Sequence, residues 1–119
     1  MCQDAQLIGF GQVEFDGTRY DTDIVIERGS VRRRHKKPSK PYRGRFGHTP
    51  LSADESIPWG GRRLIVGTGV DGGLPVMTEV YEQAAQRNVE IVALPTEAAC
   101  RLIGQLEAGE VNAILHVTC

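Results

Sequence analysis

Between Leu7 and Phe15 apolar and polar positions fall into alternation, with Val13 and Phe15 on one face and Gln12 and Glu14 on the other. A period of two marks a half-buried strand. Asp16-Gly17 follows, a pair that two-residue hairpin turns favour because their twist needs positive φ. Thr18 to Ile26 is then the returning strand, with Ile24-Val25-Ile26 its most buried part. Glu27 to Ser30, containing Gly29, reads as a second turn, and Val31 opens a third short strand. Residues 1–31 are thus predicted to form a β ribbon.

The pattern is lost over residues 32–50, RRRHKKPSKPYRGRFGHTP. Pro38, Pro41 and Pro50 remove backbone donors and hold the residue before each extended. A basic surface loop is the expectation, and a connector this long within one domain is usually functional or disordered. Ser52-Ala53-Asp54-Glu55 matches a capping box. It predicts a short helical turn that stops at Pro58, with Trp59 packed beneath it.

From Gly60-Gly61 onward the pattern becomes regular. Leu64-Ile65-Val66 is a short apolar strand that runs into Gly67-Thr68-Gly69, with more glycines at 72 and 73. Met77, Val80, Tyr81, Ala84 and Ala85 then recur at helical spacing, and Asn88 suits a helix stop. Val89 to Leu94 reads as a buried strand. Thr96 is placed to cap a second helix whose core face is Ala99, Leu102, Ile103 and Leu106. Gly104 inside that helix implies close packing, Gly109 closes it, and Val111 to Val117 is the last strand. Residues 62–119 therefore predict a βαβαβ unit with parallel strands. The N-terminal hairpin either extends that sheet's edge or packs beside it. The whole, residues 1–119, reads as one domain.

Composition adds two constraints. With 40% hydrophobic and 24% charged residues the chain has the balance of a soluble globular protein. No apolar run approaches the roughly 18 residues of a membrane span, and MCQDAQLIGF lacks the basic and apolar regions of a signal peptide. Cys2, Cys100 and Cys119 form no paired pattern, so reduced thiols and a cytoplasmic location are expected. The net charge of -1 hides an asymmetry, because residues 28–45 hold nine of the 14 basic side chains and no acid. The rest of the chain is strongly acidic.

Gly67-Thr68-Gly69-Val70-Asp71-Gly72 matches the G-x-G-x-x-G pattern that admits a pyrophosphate at a helix N-terminus. Here Gly73, Leu74 and Pro75 delay the helix, and no acid stands at the tip of the second strand for a ribose. A glycine-rich turn at the carboxyl edge of a sheet is therefore favoured over a nucleotide site. A crevice for a small anionic ligand or nucleotide there is the alternative to an interaction module, with Gly67, Thr68, Gly69, Thr96 and His48 as candidate contacts. The basic segment supplies a second candidate surface. Arg32, Arg33, Arg34, Lys36 and Lys37 could neutralise phosphates of a nucleic acid while Tyr42 stacks on a base, or they could dock on a protein partner. A solvated loop that docks on the acidic body, or on a second subunit, is favoured over nucleic-acid binding. His116 and Cys119 lack the paired ligands of a zinc site. Neither a metal, a cofactor nor a catalytic constellation is read from the chain.

Five collinear stretches, IGFGQVEFDGTRYDTDIVI, FGHTPLS, LIVGTG, VALPTEAA and AILHVTC, resemble a small single-domain family. It includes the adipogenesis-associated domain protein, the mitochondrial complex I assembly factor 3 and many uncharacterised prokaryotic proteins. The matching positions are Gly47-His48, Gly67-Thr68-Gly69, Thr96, His116 and Cys119. The resemblance covers most of the chain. It implies a three-layer α/β fold with a central mixed five-stranded sheet flanked by helices, one strand antiparallel to the rest, and an N-terminal β ribbon. It also implies an assembly or interaction role through a protein partner or a homo-oligomer, with no catalytic residues to carry over. The long basic insert before Gly47 and the lack of an Arg-rich N-terminal segment separate this chain from the mitochondrial members and point to a cytosolic prokaryotic protein.

Overall fold

The structure, a computed structural model, describes residues 4–119, with the backbone alone at Ala108. Cys2 lies outside the described residues. The strands are β1 (Ala5–Gly9), β2 (Gln12–Phe15), β3 (Thr18–Tyr20), β4 (Ile24–Glu27), β5 (Ser30–Arg33), β6 (Arg63–Thr68), β7 (Glu90–Leu94) and β8 (Asn112–His116). The α-helices are α1 (Arg43–Phe46), α2 (Thr78–Gln86) and α3 (Thr96–Ile103).

A five-stranded sheet in the order β5-β4-β8-β6-β7 forms the middle layer, and β1-β2-β3 form a separate antiparallel ribbon. β6 pairs in parallel with both β7 and β8, while β4 pairs antiparallel with both β5 and β8. One strand, β4, thus runs against the other four.

Alternation in the central strands decides what lies on each face. Ile24, Ile26, Ile65, Ala113 and Leu115 point to one side, where they meet Val13 and Phe15 of the ribbon and Ala99, Cys100 and Ile103 of α3. Val25, Leu64, Val66 and Ile114 point to the other, against Val80 and Ala84 of α2 and the loop residues Leu51, Ile57 and Leu74. Each Val, Leu, Ile or Phe among them contributes roughly 1.5–3 kcal/mol by leaving water.

Several local expectations are revised. The first predicted strand is two. The chain reverses at Phe10-Gly11, where Gly11 takes φ 88 and β1 folds back on β2. The returning strand also breaks, at Asp21–Asp23, so that β3 completes the ribbon and β4 enters the main sheet. The basic segment is not structureless. Arg32 and Arg33 belong to β5, residues Lys37–Tyr42 form a 3-10 helix with Pro38 in its first turn, and α1 ends at Gly47 with φ 77.

The capping box does not start a helix. Ser52 Oγ accepts from the Asp54 amide at 3.3 Å, but the Glu55 carboxylate turns inward to Arg34. On α2, Tyr81 and Ala85 face solvent, so the buried stripe is narrower than its spacing suggested. Gly104 is the C-cap of α3 and not an interior residue, and the nearest atoms to a Cβ there would be backbone oxygens at 3.5 and 3.7 Å.

Candidate functional site

The carboxyl end of β6 is closed by the chain itself. Gly69 takes φ 110, a conformation that suits glycine alone, and its N–H donates to Thr96 Oγ1 at 2.8 Å. Thr96 Oγ1 in turn donates to the His116 carbonyl at 2.6 Å. Thr96 thus joins β6 to β8 across the start of α3, and it does not cap that helix, whose N-cap is Pro95 without a side-chain bond. The carbonyls of Thr118 and Cys119 accept from the Val70, Asp71 and Gly73 amides at 3.0, 3.0 and 3.1 Å. A Cβ on Gly69 would stand 2.3 Å from the Thr118 oxygen, and one on Gly67 would stand 2.8 Å from Thr96 Oγ1. The glycines admit the chain's own backbone, and the crevice expected directly above them is filled. Thr68 and Thr96 are both buried.

Beside this edge lies a buried polar network. The Arg34 guanidinium donates to both oxygens of Glu55 at 2.8 Å, to Asp23 Oδ2 at 2.9 Å and to the Pro50 carbonyl at 2.9 Å. Ser39 Oγ donates to Glu55 Oε2 and stands 2.7 Å from Ser52 Oγ. Asp23 Oδ1 accepts from the Val117 amide at 2.9 Å, and Oδ2 lies 2.8 Å from His116 Nδ1. An ionised carboxylate only accepts, so Nδ1–H is the donor and Nε2 faces the Thr118 hydroxyl at 3.2 Å.

Burial alone would raise the Asp23 carboxyl. The hydrogen bond and charge of His116, with the Val117 amide and Arg34, outweigh it and hold the carboxyl below its usual range. For Arg34, burial disfavours the charge, but the bonds and charges of Glu55 and Asp23 raise its pKa further.

The network forms the floor of an open pocket of about 180 Å³. His48, Thr49, His116, Thr118 and Cys119 line it, and Lys36, Arg43 and the edge of Arg34 supply positive charge. No Asp or Glu side chain is among its lining residues. Lys36 and Arg43 make no ion pair among the described residues. Cys119 Sγ lies 3.5 Å from His48 Nδ1. Among the described residues no cluster of three His, Cys, Asp or Glu side chains is arranged to hold a metal ion.

The sequence candidates divide accordingly. His48 lines the pocket, while Gly67, Thr68, Gly69 and Thr96 build the wall behind it. Of the basic strip, Lys36 reaches the pocket and Arg34 is buried beneath it. Arg32 donates to the Ser56 carbonyl at 3.0 Å and lies 3.6 Å from Glu27. Arg33 and Lys37 are exposed, and the Tyr42 hydroxyl donates to Asp54 at 2.8 Å, a bond that raises its pKa. The strip is therefore not one continuous cationic face. Sequence reasoning passed over Asp23, Glu55, Arg43 and Thr118. An acid directly before an apolar strand, as Asp23 is before Ile24-Val25-Ile26, was the available signal for a buried pair.

A three-layer α/β protein with a mixed five-stranded sheet and a polar pocket beside its carboxyl edge is the class these features define. No protein-family model matches the chain, and no curated protein sequence matches it. Solved structures do. The conserved hypothetical protein PH1505 from Pyrococcus horikoshii OT3 is 28% identical, with 98% of this chain and 99% of that chain covered and a TM-score of 0.74. The protein MT938 is 25% identical, with 98% and 99% covered and a TM-score of 0.73. A Mth938-like domain protein of Bordetella pertussis shares the fold at 19% identity and a TM-score of 0.61, with 97% of this chain and 85% of that chain covered. The chain thus has the fold of the Mth938-like domain proteins.

Proposed function

We propose that the chain is a binding module that takes a small anion, a carboxylate or phosphate, in the pocket lined by Lys36, Arg43, His48 and His116. The observation that carries this reading is the convergence of cationic and imidazole groups on a cavity whose lining includes no Asp or Glu side chain. The positions on which the family resemblance rests also gather here. His48, His116 and Cys119 line the cavity, and Gly67, Gly69 and Thr96 close the wall behind it. The volume is below the roughly 300–1,000 Å³ of sites for drug-sized ligands. It suits a small anion or the charged end of a longer molecule.

Thermal-shift and calorimetric titration with phosphate, sulfate and short dicarboxylates at low salt tests this. A ligand present at about 100 times its Kd adds roughly 2.7 kcal/mol to stability. That gain should vanish in a Lys36→Ala/Arg43→Ala variant. No stabilisation by any of these anions, or equal stabilisation of the variant, defeats the reading.

A second reading, the cytosolic interaction or assembly module implied by the resemblance to the complex I assembly factor 3 family, draws on β7. This strand pairs with β6 alone and leaves one row of backbone donors and acceptors at the edge of the sheet, where another strand can add. Light scattering that shows a monomer at all concentrations, unchanged by Ala93→Pro, whose N–H faces the open side of β7, removes the homo-oligomeric form of this reading.

A further inference from the structure

At the opposite end of the sheet, where the parallel strands begin, a cavity of about 460 Å³ opens between Arg28, Gly60–Arg63, Leu106 and Asn112. Asn112 is 2% exposed. Its Oδ1 accepts the backbone N–H of Arg28 at 3.0 Å, and this fixes which end of the amide points where. The Nδ2 end faces Gly61, where a Cβ would stand 2.5 Å away. Neither of its two protons meets an acceptor among the described residues. A buried amide donor without a partner is costly. Here it lines a cavity that could supply the missing acceptor.

The cationic groups are arranged around it. Arg28 sits in the left-handed region at φ 49, in a turn tied to β8 through Asn112 and through Gly29, whose amide donates to the Val111 carbonyl at 3.1 Å. Its guanidinium lies along Gly60, with Nε and Nη2 3.4 Å from where a Cβ would be, so a larger residue there would press on it. Arg62 is exposed and makes no ion pair among the described residues, whereas Arg63 is engaged by Glu90 at 3.3 Å. Glu110 is the acid of the lining, and half-buried Leu106 gives it an apolar wall.

We infer that this cavity is a second binding site, for a small organic phosphate. Arg28 and Arg62 hold the phosphate through charge-assisted bonds, and Asn112 Nδ2 donates to one of its oxygens. The organic part lies along Leu106 and the Gly60-Gly61 backbone. Two guanidinium groups beside a two-proton amide present more donors than one carboxylate can use, and phosphate offers three oxygens. The cavity is also too large for phosphate alone and falls in the size range of small-molecule sites. The site shares no lining residue with the pocket at the other edge, so either can fail without the other.

The test is a 1H–15N NMR titration of the whole chain with ribose 5-phosphate, inorganic phosphate and ribose. Ribose 5-phosphate should shift the Asn112 side-chain amide and the Gly61 amide, and ribose should leave both in place. Arg62→Ala, an exposed substitution that keeps the fold, should weaken ribose 5-phosphate binding at least tenfold, and an Arg28→Ala/Arg62→Ala pair should abolish it. Asn112→Asp should weaken it too, with the retained dispersion of the spectrum showing that the variant is folded. The assignment is overturned if Asn112 and Gly61 do not shift, if the shifts are confined to His48 and Thr118, or if Arg62→Ala binds as the parent does. Inorganic phosphate binding as tightly as ribose 5-phosphate would overturn the organic part of the assignment.

Discussion

The Arg34 guanidinium and the Glu55 carboxylate meet through two parallel hydrogen bonds, Nε to Oε1 and Nη2 to Oε2, both 2.8 Å long. Both side chains are almost fully buried, and Asp23 receives a third bond from the same guanidinium. The pair is what converts a basic, proline-containing segment into a docked one. It anchors the residue after β5 to the loop after Pro50, and Ser39 of the 3-10 helix joins it through Glu55.

Replacing Arg34 by Met should therefore leave two carboxylates buried without their cation. Loss of one partner of a buried pair costs about 3–5 kcal/mol, a large part of a typical total of about 5–15 kcal/mol. Arg34→Lys should recover only part of this, because an ammonium cannot match both Glu55 oxygens at once. Urea unfolding of the three proteins measures it. A shift below about 1 kcal/mol for Arg34→Met would mean that the network contributes little.

Acid should weaken the fold through Asp23. Its carboxyl is held below the ordinary 3.8, so in that window the unfolded chain binds more protons than the folded one. The resulting stability is complete above about pH 5, where both forms are ionised, and is lost as pH falls through 3.8 toward the folded value. In Asp23→Asn the protein should be weaker at neutral pH, and its stability should fall less between about pH 5 and 3. Unfolding midpoints measured across that range for both proteins decide it. Parallel curves would assign the acid sensitivity to other carboxyls.

The layers of this fold were legible because they rest on periodicity. Ile24 to Ile26, Leu64 to Val66 and the last strand alternate or run apolar, and the glycines after β6 mark a real bend. What could not be read locally was determined by partners far along the chain. Arg34 stands in a run of three arginines, and nothing in its neighbours distinguishes the one that turns inward to residues 11 and 21 positions away. Glu55 looked like a helix cap for the same reason, since its true partner is distant in sequence. The space above the glycines is closed for a related cause. Glycines that suit a ligand's approach equally suit the approach of another strand's backbone, and here Thr118 and Cys119 occupy that space. His48, read as one contact of that crevice, lines the pocket that remains.

Glycine substitutions should separate these cases. Gly69→Ala meets both a φ of 110 and the Thr118 oxygen, and is expected to cost at least about 2 kcal/mol from strain and overpacking. Gly104→Ala is the contrast. With φ -62 and no Cβ contact shorter than 3.5 Å, it should be neutral or stabilise by about 0.4–1 kcal/mol through the unfolded state. Melting temperatures of the two variants, compared with the parent, should move in opposite directions or only the first should move. A stable Gly69→Ala protein would show that the Thr118–Cys119 segment does not pack against the glycine turn.

The two described cysteines should differ sharply toward a thiol reagent. Cys100 lies on the core side of α3, where burial, helped by the charge of Glu97, pushes its thiol up to about 12. Reaction needs the thiolate, so at about pH 8 Cys100 should react only when the chain unfolds. Cys119 is half-buried, lines the pocket and faces His48 at 3.5 Å. In a Cys2→Ser protein, one equivalent of reagent should be consumed under native conditions and two in urea, and Cys119→Ser should remove the native reaction. Because Cys119 lines the proposed anion site, saturating phosphate should slow its labelling and leave the urea count unchanged. Labelling of Cys100 at the rate of Cys119 would contradict the packing of α3, and labelling of Cys119 that is indifferent to every anion tried would count against the pocket as their binding site.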